Sequence, residues 1–322
     1  MALDPSQFLT TPQGFLPDAV SPAAAPEPSL PRPHTTPLEQ PMDDNARVLV
    51  IGIDGVRLDL LPELDTPHLD GIARAGFLAP VEVDSVTPTM SGPCWTTIVT
   101  GVGVSKHGVW GNRLDGNRLD VFPDFTTRLA NDCGRRTFAV GGWAPLFLAQ
   151  QGGPLFVAPT RLRYIAPRED TPDAWEEVDD RVTDDAEHLL GLDEDLHAGF
   201  VYLGAVDETA HFLGCGKEYR QAIEAADRRL GRLLTAVRDR PGHGAERWTV
   251  IVVTDHGHRD EGGHGGRSPE ERTAWIAACG PGLAAGRAPS SLHHADVAAH
   301  VFTALGIAPD PHWTLDGTPF TA

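Results

Sequence analysis

Three apolar runs of the sequence each end in aspartate, and histidine lies close to two of these ends. The residues are Asp54, Asp207, His211, Asp255 and His256. Carboxylate oxygens and imidazole nitrogens are ligands that suit zinc and manganese. Each residue alone has an ordinary explanation as a turn, a helix cap or a surface ion pair. The prediction of a metal site therefore rests on the whole set.

Two further histidines compete for one more ligand position. His258 lies two residues after His256, and His264 lies between two pairs of glycines. A glycine-rich stretch of this kind is flexible and could equally be an exposed loop. The residue types alone leave the choice between His258 and His264 open.

A candidate nucleophile lies in the segment 87–101, which offers the hydroxyls of Ser91 and Thr89. Ser91 precedes Gly92-Pro93 and an apolar helical pattern, which predicts Ser91 as a helix N-cap. The start of a helix favours a phosphoryl anion, and we expect the Gly92 N–H to support one of its oxygens. A serine hydroxyl needs a metal to become an alkoxide near neutral pH. Thr89 is the rival nucleophile, although we expect replacement of Thr89 by alanine to be mild.

Alternating strands and helices must position these residues. Continuous apolar runs predict strands buried on both faces, at 48–53, 137–140, 199–205, 248–254 and 273–278. Helices are predicted at 66–75, with Thr66 as N-cap, and at 217–238. The sequence thus predicts an α/β sandwich with a mostly parallel central sheet and helices on both faces. In such sheets, ligands bind beyond the carboxyl ends of the strands.

Charge and composition exclude several classes of protein. The chain has 322 residues, with 26 Lys and Arg against 45 Asp and Glu, for a formal net charge of −19. This excess of acid argues against binding to nucleic acid polymers and to anionic membranes. An acidic protein that handles an anionic substrate needs local positive charge, which metal ions can supply. The sequence contains no run of 18 apolar residues, so it predicts no membrane-spanning helix.

The domain organisation follows from changes in composition. Residues 1–45 are rich in proline and alanine, so we expect a disordered tail. The domain covers 46–322, and the acidic stretch 151–198 is a candidate cap insertion. The four cysteines form no CxxC pair, and the N-terminus lacks a signal-peptide pattern, so we expect a cytoplasmic protein with reduced thiols. The oligomeric state is left open.

Several short motifs together follow the order and spacing of a known family. They are Ile53-Asp54-Gly55, Thr66-Pro67-His68-Leu69-Asp70, the Ser91 segment up to Thr100-Gly101, His107-Gly108 with Asn112, Asp207 with His211, Thr254-Asp255-His256-Gly257 and His264-Gly265. Over most of 47–320 the chain resembles the alkaline phosphatase superfamily, and within it the type I phosphodiesterase/nucleotide pyrophosphatase family. The resemblance implies an alkaline phosphatase-like three-layer sandwich.

The resemblance also implies a role for each site residue. It assigns one zinc to Asp207, His211 and His264, the second zinc to Asp54, Asp255 and His256, the nucleophile that bridges both to Ser91, and a donor to a phosphoryl oxygen to Asn112. Manganese could replace zinc. The family pattern thereby favours His264 over His258.

The expected activity is hydrolysis of a small phosphate ester, with a diester favoured over a monoester, through a phosphoserine intermediate. Monoesterases of the superfamily carry arginine shortly after the nucleophile, whereas Lys106 is the one Lys or Arg between Ser91 and Asn112. The alternatives are hydrolysis of phosphomonoesters, phosphonates or sulfate esters, and a non-catalytic metal-binding relative. Sulfatases need an arginine where this chain has Trp95.

Two departures from the family pattern concern the substrate pocket. Many relatives have Thr-x-Pro-Asn where this chain has Ser91-Gly92-Pro93-Cys94, and longer insertions that handle nucleotides in some relatives are absent from this sequence. Three tryptophans near the site, Trp95, Trp110 and Trp143, could stack on an aromatic leaving group or simply pack in the core.

Overall fold

A seven-stranded sheet forms the middle layer of the structure, a computed structural model that describes residues 43–192 and 195–320. The strands are β1 Ala46–Ile53, β2 Phe77–Glu82, β3 Arg136–Gly141, β4 Arg161–Tyr164, β5 Leu196–Leu203, β6 Arg247–Thr254 and β7 Thr273–Cys279. Their order across the sheet is β2-β7-β6-β1-β5-β3-β4. The pairs around β1 are parallel, whereas β7 runs antiparallel to both of its neighbours.

The central strand β1 is buried along its whole length, as its continuous apolar sequence predicts. It pairs with β5 so that Ile53 lies opposite Leu203, and with β6 so that Gly52 lies opposite Val253. Because the three strands are parallel and in register, their carboxyl ends lie together at one edge of the sheet. The predicted metal ligands that follow these strands therefore lie side by side.

Helices cover both faces of the sheet. On one face pack α2 Ser91–Thr100, α4 Phe125–Cys133 and α10 Asp296–Ala304, and on the other pack α1 Pro67–Ala75, α6 Pro172–Leu192, α7 Ala205–Leu213 and α8 Lys217–Arg238. Shorter helices are α3 Val104–His107, α5 Ala144–Phe147 and α9 Pro269–Arg272, with 3-10 turns at Leu58–Glu63 and Pro311–Trp313. Alternate residues of β1 supply the two cores, Val48 and Val50 to the first, Leu49 and Ile51 to the second. The predicted three-layer sandwich is confirmed.

Two local predictions need correction. The run 273–278 forms β7, but this strand is antiparallel to β6, so its carboxyl end lies away from the other strand ends. Residues 255–272 between β6 and β7 form the loop with the site histidines and the four-residue α9, whereas a parallel crossover usually contains a longer helix. Helix α1 begins after Thr66 as predicted, but the Thr66 side chain makes no capping bond. Asp227 of α8 accepts the first N–H groups of α1 instead.

The remaining predictions on organisation concern the tail and the candidate cap. Residues 1–42 lie outside the described residues, so the disordered tail 1–45 stays a prediction. The segment 151–198 supplies the edge strand β4 and the long helix α6, which packs on β3 and β5. Within the described residues, no helix is long and apolar enough to cross a membrane.

Candidate active site

The predicted metal ligands converge at the carboxyl edge of the sheet. Asp54 follows β1, Asp255 and His256 follow β6, and Asp207 and His211 lie on α7 directly after β5. Three groups have ligand atoms within 4.8 Å of one another: Asp207, His211 and His264; Asp54, Asp255 and His256; and Asp207, His256 and His258. The structure thus brings together all six ligands that the resemblance implied, with His258 beside them.

The first group is centred on Asp207. His211 Nε2 lies 3.3 Å from Asp207 Oδ2, and 3.0 Å from His264 Nε2. His264 Nδ1 lies 2.7 Å from the carbonyl oxygen of Thr89. Because a carbonyl only accepts, Nδ1 carries the proton and Nε2 of the neutral ring is left with a lone pair. Two imidazole nitrogens therefore converge beside one carboxylate.

His258 contacts the same carboxylate from the protein interior. It is fully buried, and its Nε2 lies 2.7 Å from Asp207 Oδ1, whereas His264 Nε2 lies 3.6 Å from that oxygen. His258 is thus as close to Asp207 as either predicted histidine. The geometry fits a ring that donates to Asp207 and orients it, an arrangement common behind metal-binding carboxylates and histidines.

The second group is fully buried. His256 Nε2 lies 3.2 Å from Asp255 Oδ2 and 3.6 Å from Asp54 Oδ1. All three of these atoms are buried without a hydrogen-bond partner among the described residues. The His256 and His264 rings stack with centroids 3.9 Å apart, so the two groups adjoin. Buried oxygen and nitrogen atoms without partners, in this donor set, fit a divalent cation such as zinc.

Two residues that sequence reasoning missed in this role hold Asp54. The Trp95 indole N–H and the Tyr202 hydroxyl each donate to Asp54 Oδ2, both at 2.7 Å. Because both donors bind Oδ2, the other carboxylate oxygen, Oδ1, is the one that faces His256. Trp95 is fully buried, so it offers no stacking surface, and Trp143 packs partly buried against the core. Trp110, which is 52% exposed, is the member of the predicted trio with an open face.

A third missed residue positions the helix that carries Asp207. The carboxylate of Asp179, on α6, accepts the backbone N–H groups of Gly204 and Ala205 at 2.9 and 3.0 Å. Gly204 has no side chain to cap α7, so Asp179 takes the place of an N-cap. No local sequence signal links Asp179 to α7, because the contact joins residues 25 positions apart.

The segment with the candidate nucleophile lies against the first group. Thr89 contacts His264 through its carbonyl oxygen, and Ser91 follows two residues later. Ser91 is buried and is the first residue of α2, whereas Met90 occupies the N-cap. The prediction of Ser91 as N-cap is therefore wrong by one residue. The hydroxyl still lies at the amino end of the helix, as the prediction required.

The expected role of the Gly92 N–H is also wrong. This group donates to Asn112 Oδ1 at 2.9 Å, so it is not available to a phosphoryl oxygen. A Cβ on Gly92 would lie 2.2 Å from the carbonyl oxygen of Gly111, so this close approach requires glycine. The backbone N–H of Gly92 can donate to the side-chain oxygen of Asn112 but not to its NH2 group, so this bond fixes the orientation of the Asn112 amide. The Asn112 Nδ2 group is then the side-chain donor that can bind a phosphoryl oxygen.

Three carboxylates crowd this buried space. Burial, and then the charge of Asp207, raise the pKa of Asp54 to about 7. Burial and the charges of Asp54 and Asp207 likewise raise the pKa of Asp255. Burial also acts to raise the pKa of Asp207, but hydrogen bonds with His211 and His258 hold it well below its usual value. A bound cation would relieve this repulsion.

We expect the metal-free protein to lose stability as the pH rises from about 4 to about 7. The Asp54 pKa is higher in the folded chain than in the unfolded chain, so the folded state binds more protons in this window. The free energy of unfolding therefore falls as the pH rises, by on the order of a few kcal/mol for such a shift. Urea unfolding of the metal-free chain at pH 5 and pH 8 measures this, and Asp54→Asn should flatten the dependence. An unchanged pH dependence in that variant would contradict the assignment.

Comparison with known proteins gives a family match that covers this part of the chain. The family model described as type I phosphodiesterase / nucleotide pyrophosphatase matches residues 48–265. This chain belongs to that family. The match begins in β1 and ends just after His264, so it spans every predicted ligand of both groups.

Curated relatives share this family but are longer. The chain is 28% identical to human ectonucleotide pyrophosphatase/phosphodiesterase family member 7 over 232 residues, which cover 66% of this chain and 47% of the relative. The chain thus spans about half the length of the curated relatives it matches.

Solved structures show the same fold. Mouse ectonucleotide pyrophosphatase/phosphodiesterase 5, solved as an inactive variant with AMP, matches with a TM-score of 0.58 and 17% identity, over 83% of this chain and 96% of that one. A 2-O GAG sulfatase matches with a TM-score of 0.61 and 14% identity, over 85% and 73%. At these identities the likeness concerns the fold alone.

Proposed function

We propose that this chain is a two-metal phosphodiesterase that hydrolyses a small phosphate ester through a phosphoserine intermediate. The observation that carries the proposal is the pair of adjoining ligand groups at the carboxyl edge of the sheet, the second of which has buried ligand atoms with no hydrogen-bond partner in the part of the chain that the structure describes. Family membership supports a phosphodiester or pyrophosphate bond as the target.

The proposed ligands divide into two sets. Asp207, His211 and His264 would hold the first metal, and Asp54, Asp255 and His256 would hold the second. Ser91 would be the nucleophile that both metals serve to activate. The mixture of carboxylate and imidazole ligands suits zinc, with manganese as a substitute. When bound, two such ions lower the pKa of a hydroxyl ligand and offset negative charge on the phosphoryl group.

The protein's own residues supply the remaining steps. Ser91 Oγ gives up its proton and attacks phosphorus, the bond to one alcohol breaks and that alcohol leaves with a proton, and the phosphoryl group with its remaining ester stays on Ser91. Water then attacks the same phosphorus, which releases a phosphomonoester and restores the Ser91 hydroxyl. Asn112 Nδ2, fixed by the bond between its Oδ1 and Gly92, donates to a phosphoryl oxygen. His258 donates to Asp207 and keeps that carboxylate turned towards the first site.

The preference for diesters rests on Lys106. Its ammonium bonds to Asp316 and to the carbonyl oxygen of Thr314, so it is already paired within the protein. It is therefore not free to bind the second negative charge of a phosphomonoester. The sulfatase alternative is disfavoured by Trp95, because this fully buried indole bonded to Asp54 stands where those enzymes need arginine.

We expect kcat/KM for bis(p-nitrophenyl) phosphate to exceed that for p-nitrophenyl phosphate by roughly tenfold or more. The monoester carries one more negative charge than the diester. The segment between Ser91 and Asn112 offers no unpaired cationic side chain to bind that charge, because its Lys106 is bonded to Asp316. Parallel steady-state assays with the zinc-loaded chain measure the ratio. Lys106→Ala is the matched control and should leave the ratio unchanged, whereas a preference for the monoester in the wild type would reject the diesterase assignment.

The nature of the leaving group and the location of the protein also stay proposals. The structure with AMP of the mouse relative suggests that a nucleotide ester is worth including in a substrate panel. Trp110 could stack on an aromatic leaving group there.

The four free cysteines are consistent with the predicted cytoplasmic location.

A further inference from the structure

The side chain of Thr89 ties a glycine-rich loop to the segment before α2. Its hydroxyl accepts a hydrogen bond from the Gly265 N–H at 3.0 Å and donates to the carbonyl oxygen of Gly266 at 3.1 Å. Thr89 is fully buried. The one proton of this hydroxyl is therefore donated within the protein, and its side chain is not exposed at the surface.

The backbone of Thr89 contacts the same loop. Its carbonyl oxygen faces His264 Nδ1 at 2.7 Å, which fixes the ring with the proton on Nδ1 and the lone pair on Nε2. His264 Nε2 is the atom that lies 3.0 Å from His211 Nε2 in the first ligand group. One residue thus holds both the backbone and the ring orientation of a predicted ligand.

The loop needs such an anchor because it has no regular structure of its own. Gly262, Gly263 and Gly265 all have positive φ, and residues 262–266 belong to no helix or strand. The bond from the Gly266 N–H to Glu271 at 2.8 Å ties down its far end. Without the Thr89 hydroxyl, the two residues that follow His264 would each lose a hydrogen bond and gain conformational freedom.

We propose that Thr89 is the positioning residue that holds His264 for the first metal, and that it is not a nucleophile. The inference rests on the proposed metal site. It replaces the expectation from sequence that loss of the Thr89 hydroxyl is mild.

The test compares Thr89→Val, which removes the hydroxyl at nearly constant volume, with Thr89→Ser, which keeps it. Zinc affinity of the full chain is measured by competition with a chromogenic chelator. Thr89→Val should weaken binding of one zinc by about 10- to 100-fold, the range for loss of a residue that orients a ligand, and Thr89→Ser should restore it to within a few-fold. Thr137→Val is the matched control, because it removes a buried hydroxyl of β3 that likewise accepts from one backbone N–H and donates to one backbone carbonyl, and it should keep wild-type zinc affinity.

A second readout does not depend on metal. Long-range ¹⁵N–¹H NMR of the metal-free chain reports which nitrogen of His264 carries the proton. We expect Nδ1 protonation in the wild type and in Thr89→Ser, and a mixture of tautomers in Thr89→Val. Unchanged tautomer and unchanged zinc affinity in Thr89→Val, with loss of turnover alone, would overturn the proposal and make Thr89 the nucleophile. Absence of zinc binding in the wild type would reject the proposed function, while the tautomer would still decide whether Thr89 orients His264.

Discussion

Replacing Ser91 with alanine should lower diester turnover by at least about 1,000-fold, because the variant lacks the oxygen that attacks phosphorus. Ser91 is buried at the first turn of α2, two residues from the contact between Thr89 and His264. Within the described residues, the Ser91 hydroxyl makes no hydrogen bond to the helix or to the ligand groups. The variant should therefore fold and bind metal as the wild type does.

The measurement pairs steady-state turnover of bis(p-nitrophenyl) phosphate with elemental analysis of the same samples. Ser91→Thr is the control, since it keeps a hydroxyl and adds a methyl group, and it should keep partial activity. A residual rate in Ser91→Ala within about tenfold of the wild type would rule out Ser91 as the nucleophile.

Replacing Asp207 with alanine should remove metal and reduce turnover by more than the roughly 10- to 100-fold that loss of an orienting residue costs. Asp207 contacts three histidines of the site, His211, His258 and His264, so its loss leaves these rings without their shared carboxylate. Asp255→Ala should have a comparable effect through the second group. Asp120→Ala, which changes an exposed aspartate, is the matched control. Full zinc content in Asp207→Ala would contradict its role as a ligand.

The sequence could predict those parts of the site that depend on local order along the chain. Asp54, Asp207 and Asp255 come after apolar strands, and parallel strands in register must bring their carboxyl ends together. The i, i+4 spacing of Asp207 and His211 likewise needs no more than a turn of helix. The sandwich itself follows from the same alternation of strands and helices.

What the sequence could not predict depends on contacts between distant segments. Tyr202 and Asp54 are 148 residues apart, and Asp179 reaches the start of α7 across 25 residues. The sequence predicts that the Gly92 N–H faces substrate, but this group donates to Asn112 because the chain returns against Gly92 after α3. The sequence favours Ser91 but keeps Thr89 as a rival nucleophile for the same reason, since the partners of Thr89 lie near residue 265.

Zinc titration of the metal-free chain, with diester turnover followed in the same samples, tests the two-metal site most directly. We expect zinc binding to saturate at about two equivalents per chain. Turnover should reach its maximum with the second equivalent, because the two ligand groups adjoin and both ions are needed to activate the Ser91 hydroxyl. Addition of a strong chelator should abolish turnover, and zinc should restore it. Full turnover in the presence of the chelator, or saturation of an active enzyme at one equivalent, would contradict the account.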